Sequence, residues 1–242
     1  MNSILNYIGQ KNLNYLEQRD LDIIHDSQVY CEPFSGSFNL GIQLIDKGVI
    51  GVNTHKIVLN DLDERVYNFW RWVSIDYMQL MAKITELKEI NTEDLLQIKY
   101  KDSIEMAAIE FLYRVRKRDR KIKFNIDEYI CEFCIQSEYM KRIEINNKKY
   151  KEIILELDSK STFLFIDPPY INVRNINDYY RCESNKFNHK ELMDTIKNMN
   201  SKFILTYNND KEIQSYYREY NIRKLNRVIY GKNYTELIIS NF

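Results

Sequence analysis

Short apolar runs, set apart by longer polar stretches with helical patterning, organise this chain. Val29-Tyr30-Cys31 and Ile57-Val58-Leu59 lie near the start; Phe163-Leu164-Phe165-Ile166, Phe203-Ile204-Leu205 and Leu237-Ile238-Ile239 lie in the second half. Unbroken runs of this length read as strands buried on both faces. Between them, helical stretches are expected from about 39 to 47, 64 to 72 and 190 to 199. Strand and helix in alternation predict an α/β protein, a mostly parallel sheet with helices on both faces. The alternation stops between roughly 75 and 160. There Ile104, Ala108, Phe111, Leu112 and Val115 recur at helical spacing, and Asp102 with Glu105 three residues on is a helix-start signal. No Gly-, Ser- or Pro-rich linker bounds this stretch. The expected division is one α/β domain from 1–74 and 161–242, with 75–160 inserted and packed against its sheet.

Only three prolines and six glycines occur in 242 residues, so their positions are informative. Glu32-Pro33-Phe34-Ser35-Gly36-Ser37 follows the first apolar run, and Asp167-Pro168-Pro169-Tyr170 follows the third. Sharp loops at strand ends are where α/β sheets bind ligands. Lys and Arg total 35, as do Asp and Glu, so any nucleic-acid contact has to come from local patches. Four cysteines in a chain of this length suggest reduced thiols. Cys131 and Cys134 have CxxC spacing, yet no second pair exists and the three histidines are scattered. They read as buried packing in a helix, and no metal is expected. No apolar stretch approaches the ~20 residues of a membrane span, and the N-terminus lacks a charged leader; a cytoplasmic protein is expected.

The tetrapeptide at 167–170 carries the most specific chemistry. An exocyclic amine on a heteroaromatic ring is a poor nucleophile, because its lone pair is delocalised. A carboxylate and a backbone carbonyl accepting its two N–H bonds help to localise that pair. Asp167 supplies the first and Pro168 the second, on a backbone stiffened by consecutive prolines. Tyr170 offers a flat face on which an extruded base can stack. The plainer alternative is a rigid turn with Tyr170 packed over it.

The motifs, taken in order, resemble the Dam-type DNA adenine methyltransferases over nearly the whole chain except its middle. Tyr7-Ile8-Gly9-Gln10-Lys11 is similar to the family's Tyr-x-Gly-x-Lys cofactor motif, and Glu32 to Ser37 to its Phe-x-Gly-x-Gly loop with the preceding acid. Asn60-Asp61 resembles the acidic end of the second strand, Asp167 to Tyr170 the catalytic motif, Leu205 to Asn209 a later segment, and Glu236 to Asn241 the last strand. The resemblance implies a seven-stranded methyltransferase sheet with a reversed last strand. It implies S-adenosylmethionine as cofactor and S-adenosylhomocysteine as product, with cofactor contacts from Tyr7, Gly9, Lys11, Glu32, Phe34, Gly36, Asp61 and Asp167. Lys11 would meet the cofactor carboxylate and Asp61 both ribose hydroxyls, the alternatives being a solvated lysine and a helix cap. Asp167, Pro168 and Tyr170 would be catalytic, acting on a flipped adenine. One departure stands out: Phe38 replaces the loop's second glycine, and its ring either crowds the cofactor or points into the core.

Arg114, Arg116, Lys117, Arg118, Arg120, Lys121 and Lys123 crowd one segment, broken only by Asp119. They are the expected phosphate contacts for double-stranded DNA, against the reading of a solvated helix end. The family's recognition hairpin is not recognisable between Leu112 and Lys151, so the target sequence does not transfer. A cognate restriction endonuclease is a possible partner. Two other functions stay open: methylation of adenine in RNA, and an inactive DNA-binding member of the same fold.

Overall fold

A computed structural model describes residues 1–5, 9–51, 53, 55–118, 126–171, 187–229 and 232–242. Seven strands form one sheet: β1 (Val29–Glu32), β2 (Lys56–Asn60), β3 (Glu144–Asn146), β4 (Thr162–Ile166), β5 (Lys202–Asn208), β6 (Asn221–Ile229) and β7 (Lys232–Ser240). Their spatial order is β3-β2-β1-β4-β5-β7-β6. All neighbours from β3 to β5 pair in parallel, whereas β7 runs antiparallel to both β5 and β6. The reversed last strand is therefore present, and the five strands expected from apolar runs all form.

The α-helices of the described residues are α1 (Gln18–His25), α2 (Asn39–Asp46), α3 (Glu64–Leu87), α4 (Thr92–Leu95), α5 (Ser103–Arg118), α6 (Ile130–Met140), α7 (Tyr150–Leu157), α8 (His189–Ile196) and α9 (Lys211–Tyr216). The α5 start behaves as its sequence implies, with the Glu105 backbone N–H donating to Asp102 Oδ1 at 2.9 Å. One face of the sheet packs α7, α8 and α9 through Ile153, Ile154, Leu192, Ile196, Ile213 and Tyr217. On the other, Ile57 and Leu59 join Phe69, Trp70, Phe111 and Phe133 in a single core. Phe69 stacks on Phe111 at 5.8 Å between ring centres, and Phe111 meets Phe133 edge-on at 5.3 Å.

Three expectations need correction. Strand-helix alternation resumes at Glu144, not near 160: β3 pairs with β2, and α7 buries Ile153, Ile154 and Leu157 against the sheet. Residues 144–157 thus belong to the α/β unit. At the other end, α3 runs past residue 74 but breaks at Asp76, whose backbone is non-helical (φ −158°, ψ 85°) and whose carboxylate accepts from Gln79 N–H at 3.0 Å. Cys131 and Cys134 are exposed, because α6 buries Phe133, Gln136, Ser137 and Met140 and turns the opposite face outward.

Candidate active site

The loops after β1, β2 and β4 converge on a cavity of about 760 Å³. Each loop follows a strand that is buried at its C-terminal end, so the peptide leaves the sheet at a fixed point. The loop after β1 is pinned from several sides. Ser35 N–H donates to the Asn60 carbonyl at 2.9 Å, and the Asn60 side-chain amide donates to the Pro33 and Lys148 carbonyls, both at 3.0 Å. Trp70 Nε1 donates to the Gly36 carbonyl at 3.0 Å from beneath. Gly36 holds φ at +47°, a left-handed backbone that glycine adopts without penalty.

Phe38 holds φ at +51° as well, with no glycine to ease it. Its ring is fully buried and points away from the cavity into the core. Gly41, one turn into α2, makes the room: a Cβ there would lie 2.2 Å from the ring. The departure from the family loop is thus absorbed by a second glycine, and the cofactor side of the loop is not crowded.

Gly9, Lys11, Glu32, Phe34, Gly36, Asp61 and Asp167 all line the cavity. Tyr7, Arg120, Lys121, Lys123 and the side chains of Lys117 and Arg118 lie outside the described residues. Asp61 is not the cap of α3. That role falls to Asp63, which accepts from Arg65 N–H, while Asp61 accepts from Gly36 N–H (2.8 Å) and Asp63 N–H (2.9 Å). Burial, with the nearby Asp63 charge, pushes the Asp61 carboxyl up to about 6. Glu32 is buried too, its Oε1 accepting from the Tyr30 hydroxyl and Gly41 N–H, and burial lifts it to about 8. Phe34, Tyr150 and Phe187 form an aromatic trio with ring centres 5.2–5.7 Å apart. Ser35 Oγ, buried beside the cavity, has no hydrogen-bond partner among the described residues.

This donor set fits S-adenosylmethionine. The volume is that of a small-molecule site, the aromatic trio suits a purine, and Asp61 suits vicinal hydroxyls. The unsatisfied Ser35 hydroxyl calls for a polar ligand group.

Asp167 sits immediately after β4, and both its oxygens are engaged. Lys11 Nζ donates to Oδ2 at 2.9 Å and Thr206 Oγ1 donates to Oδ1. Burial raises its carboxyl above the usual range, while Lys11 and Thr206 pull it back down. Lys11 is itself buried, so the solvated-lysine reading fails; it sits 4.0 Å from Glu236 and 5.0 Å from the Tyr170 ring centre. The Tyr170 hydroxyl donates to Glu236 Oε2 at 3.0 Å. Thr206 and Glu236 entered the sequence reading only as parts of strand segments, and Tyr15, Tyr150, Phe187 and Arg227 did not enter it. A lone acid directly before the apolar run of β7 was the available signal for Glu236.

The basic cluster divides. Arg114 is buried and pairs with the buried Glu110 at 2.6 Å inside α5, so it is not a phosphate contact. Arg116 is half-buried and donates to the Lys88 and Ile90 carbonyls, tying α5 to the end of α3. Both arginines lie toward the packed side of the helix, which the count of positive charges could not reveal.

Comparison with known proteins bears on the same residues. No curated protein matches the chain. The model of the D12 class N6 adenine-specific DNA methyltransferases matches residues 113–229, a span that holds β3 to β6 and the Asp167-Pro168-Pro169-Tyr170 loop. Over that span, just under half of the chain, the sequence is similar to this class, and the match supports an S-adenosylmethionine-dependent DNA adenine-N6 methyltransferase.

Proposed function

We propose that Asp167, Pro168 and Tyr170 perform the methylation on an adenine extruded from duplex DNA, and that the cavity beside them holds the cofactor. The observation that carries this reading is the junction of the Asp167 loop with the 760 Å³ cavity at the ends of β1, β2 and β4. S-adenosylmethionine, when bound, supplies an electrophilic methyl group on a sulfonium sulfur and departs as S-adenosylhomocysteine. Phe34, Tyr150 and Phe187 would flank its purine, Asp61 its ribose, and Gly9, Glu32 and Gly36 the remaining wall.

Asp167 and the Pro168 carbonyl orient the chemistry. Each Asp167 oxygen accepts one bond already and retains a lone-pair direction for an adenine amino N–H. Held in this way, the N6 lone pair would point out of the ring plane, toward the methyl group that the cofactor would supply. The N6 proton then leaves toward Asp167 and solvent. Position and preset dipoles lower the barrier. Tyr170 would hold the base by its face.

In this scheme, residues between the break of α3 at Asp76 and β3 would read the target. On this reading the enzyme works on duplex DNA in the cytoplasm of a prokaryotic or phage-infected cell, alone or beside a cognate restriction endonuclease.

Methyl transfer by Asp167→Ala and Tyr170→Ala tests the reading. Asp167→Ala should lose nearly all single-turnover methylation while retaining duplex affinity. Tyr170→Ala should weaken capture of the extruded adenine, by analogy with base stacking worth ~1–3 kcal/mol, and leave cofactor affinity little changed. Methylation by Asp167→Ala near the wild-type rate would overturn the assignment, and preferred methylation of single-stranded RNA would move the substrate to RNA.

A further inference from the structure

Glu236 lies outside the loop that carries the chemistry, yet four polar side chains converge on it. Its Oε2 accepts from the Tyr15 hydroxyl at 2.8 Å and from the Tyr170 hydroxyl at 3.0 Å. Lys11 Nζ stands 4.0 Å from that same oxygen, and Arg227 Nη1 stands 3.6 Å from Oε1. Arg227 also donates to the Tyr15 hydroxyl. Lys11 in turn lies between two rings, 5.4 Å from the centre of Tyr15 and 5.0 Å from that of Tyr170.

The sheet explains why this residue can act as a fixed post. Glu236 pairs with Asn208 at the end of β5 and with Leu225 of β6. It is thus the first β7 residue in chain order held on both sides, at the edge where β4 delivers Asp167 and β5 delivers Thr206. The residue is buried, and a buried carboxyl group needs hydrogen-bond donors around it. The two tyrosines, Lys11 and Arg227 are those groups.

We propose that Glu236 is a positioning residue for methyl transfer, acting through Tyr170 and Lys11. It fixes the plane of the Tyr170 ring by its hydroxyl, and it holds the Lys11 ammonium between the two rings at the distance from which it donates to Asp167. This rests on the roles given above to Asp167 and Tyr170. Glu236 touches neither the adenine nor the methyl group, and its removal loosens both groups that do the positioning at once.

The test uses the full chain and a duplex bearing the site that the wild type methylates, located by sequencing DNA the wild type has modified. Glu236→Ala should slow single-turnover methylation at least tenfold, with cofactor and duplex affinity within about twofold of wild type. Glu236→Gln keeps an acceptor for the tyrosine hydroxyls and should recover a large part of that loss. Tyr170→Phe keeps the ring and removes the hydroxyl that donates to Glu236, so it serves if Glu236→Ala fails to fold. Its rate should fall severalfold, and combining it with either Glu236 substitution should slow the reaction by less than the product of the single effects. A duplex with 2-aminopurine at the target position should report a less stacked, brighter base in Glu236→Ala. Rates within twofold of wild type for both Glu236→Ala and Tyr170→Phe, or strictly multiplicative effects, would overturn the proposal. If the wild type methylates no adenine, the assignment of Asp167 and Tyr170 fails first, and that result is read before any variant is made.

Discussion

Asp61 offers the most quantitative check on the cofactor site. Each of its oxygens already accepts one backbone N–H, Gly36 at 2.8 Å and Asp63 at 2.9 Å, which leaves one lone-pair direction per oxygen for a ribose hydroxyl. Asp61→Asn keeps one acceptor and turns an NH₂ toward the other backbone N–H. One hydroxyl loses its acceptor and the other loses a charged one. Hydrogen bonds to charged groups contribute about 1.5–3 kcal/mol, so a loss of about 2 kcal/mol is expected, a rise of roughly 30-fold in Kd. The pH dependence separates this cause from a general loosening of the loop. Burial holds the Asp61 carboxyl at about 6, so the acceptor is charged above pH 7 and becomes protonated as pH falls through 6. Wild-type affinity should therefore be full near pH 8 and weaken by up to about tenfold per pH unit below 6. Asp61→Asn should lack the weakening below pH 6 that this carboxyl group causes. Calorimetric titration with S-adenosylhomocysteine at pH 8, 7, 6 and 5 reads both effects. A wild-type Kd flat across that range, with Asp61→Asn equal to it, would refute the placement of the ribose at Asp61.

Two further outcomes follow from packing. Arg114→Ala leaves the buried Glu110 carboxylate without its Arg114 counter-charge, so stability should fall by about 3–5 kcal/mol in denaturant, while the salt dependence of duplex binding stays as in wild type; a change in salt slope of about one would return Arg114 to the phosphate-contact list. Gly41→Ala drives a methyl group into the Phe38 ring and should cost about 1–3 kcal/mol, whereas Phe38→Ala combined with Gly41→Ala should cost less than the sum of the two single changes; additive losses would show that the two positions do not share the same space.

How much of this fold could be read from the sequence depends on where each strand sits. β1, β4 and β5 have neighbours on both sides and layers on both faces, so each carries a run of three or four apolar residues that announces it. β6 is an edge strand whose outward positions, Lys224, Asn226 and Val228, are exposed, and its mixture of Arg, Lys and Asn looks like a loop. β3 is three residues at the opposite edge and pairs only with β2. Nothing in Glu144-Ile145-Asn146 distinguishes it, and for that reason the insertion seemed to run on to 160. Helical spacing held more than was taken from it. Glu110 and Arg114 fall three residues from Ala107 and Phe111, on the buried stripe of α5, so their burial was written in the period. The same reasoning turns Cys131 and Cys134 outward, since Phe133, Gln136 and Met140 define the inner face of α6.

The site was legible where chemistry demands a residue type and illegible where only geometry does. A carboxylate at the end of a strand, prolines that stiffen a carbonyl and a glycine under a ligand are requirements of the reaction or of the close approach, and they appear as motifs. Phe38 shows the limit of that logic. The left-handed backbone at this position favours glycine, and a phenylalanine there reads as a defect of the cofactor loop. The strain, of order 1–2 kcal/mol for a non-glycine residue, persists because the ring fills space that Gly41 leaves open, where burial of an aromatic side chain contributes about as much or more. The constraint has moved from one residue to a pair three apart on a helix, and a pattern that tests positions singly does not see it. Glu236 is hidden for the same reason. An acid directly before an apolar run reads as an exception until the Tyr15, Tyr170, Lys11 and Arg227 side chains, as many as 225 positions away, are seen to meet at its carboxylate.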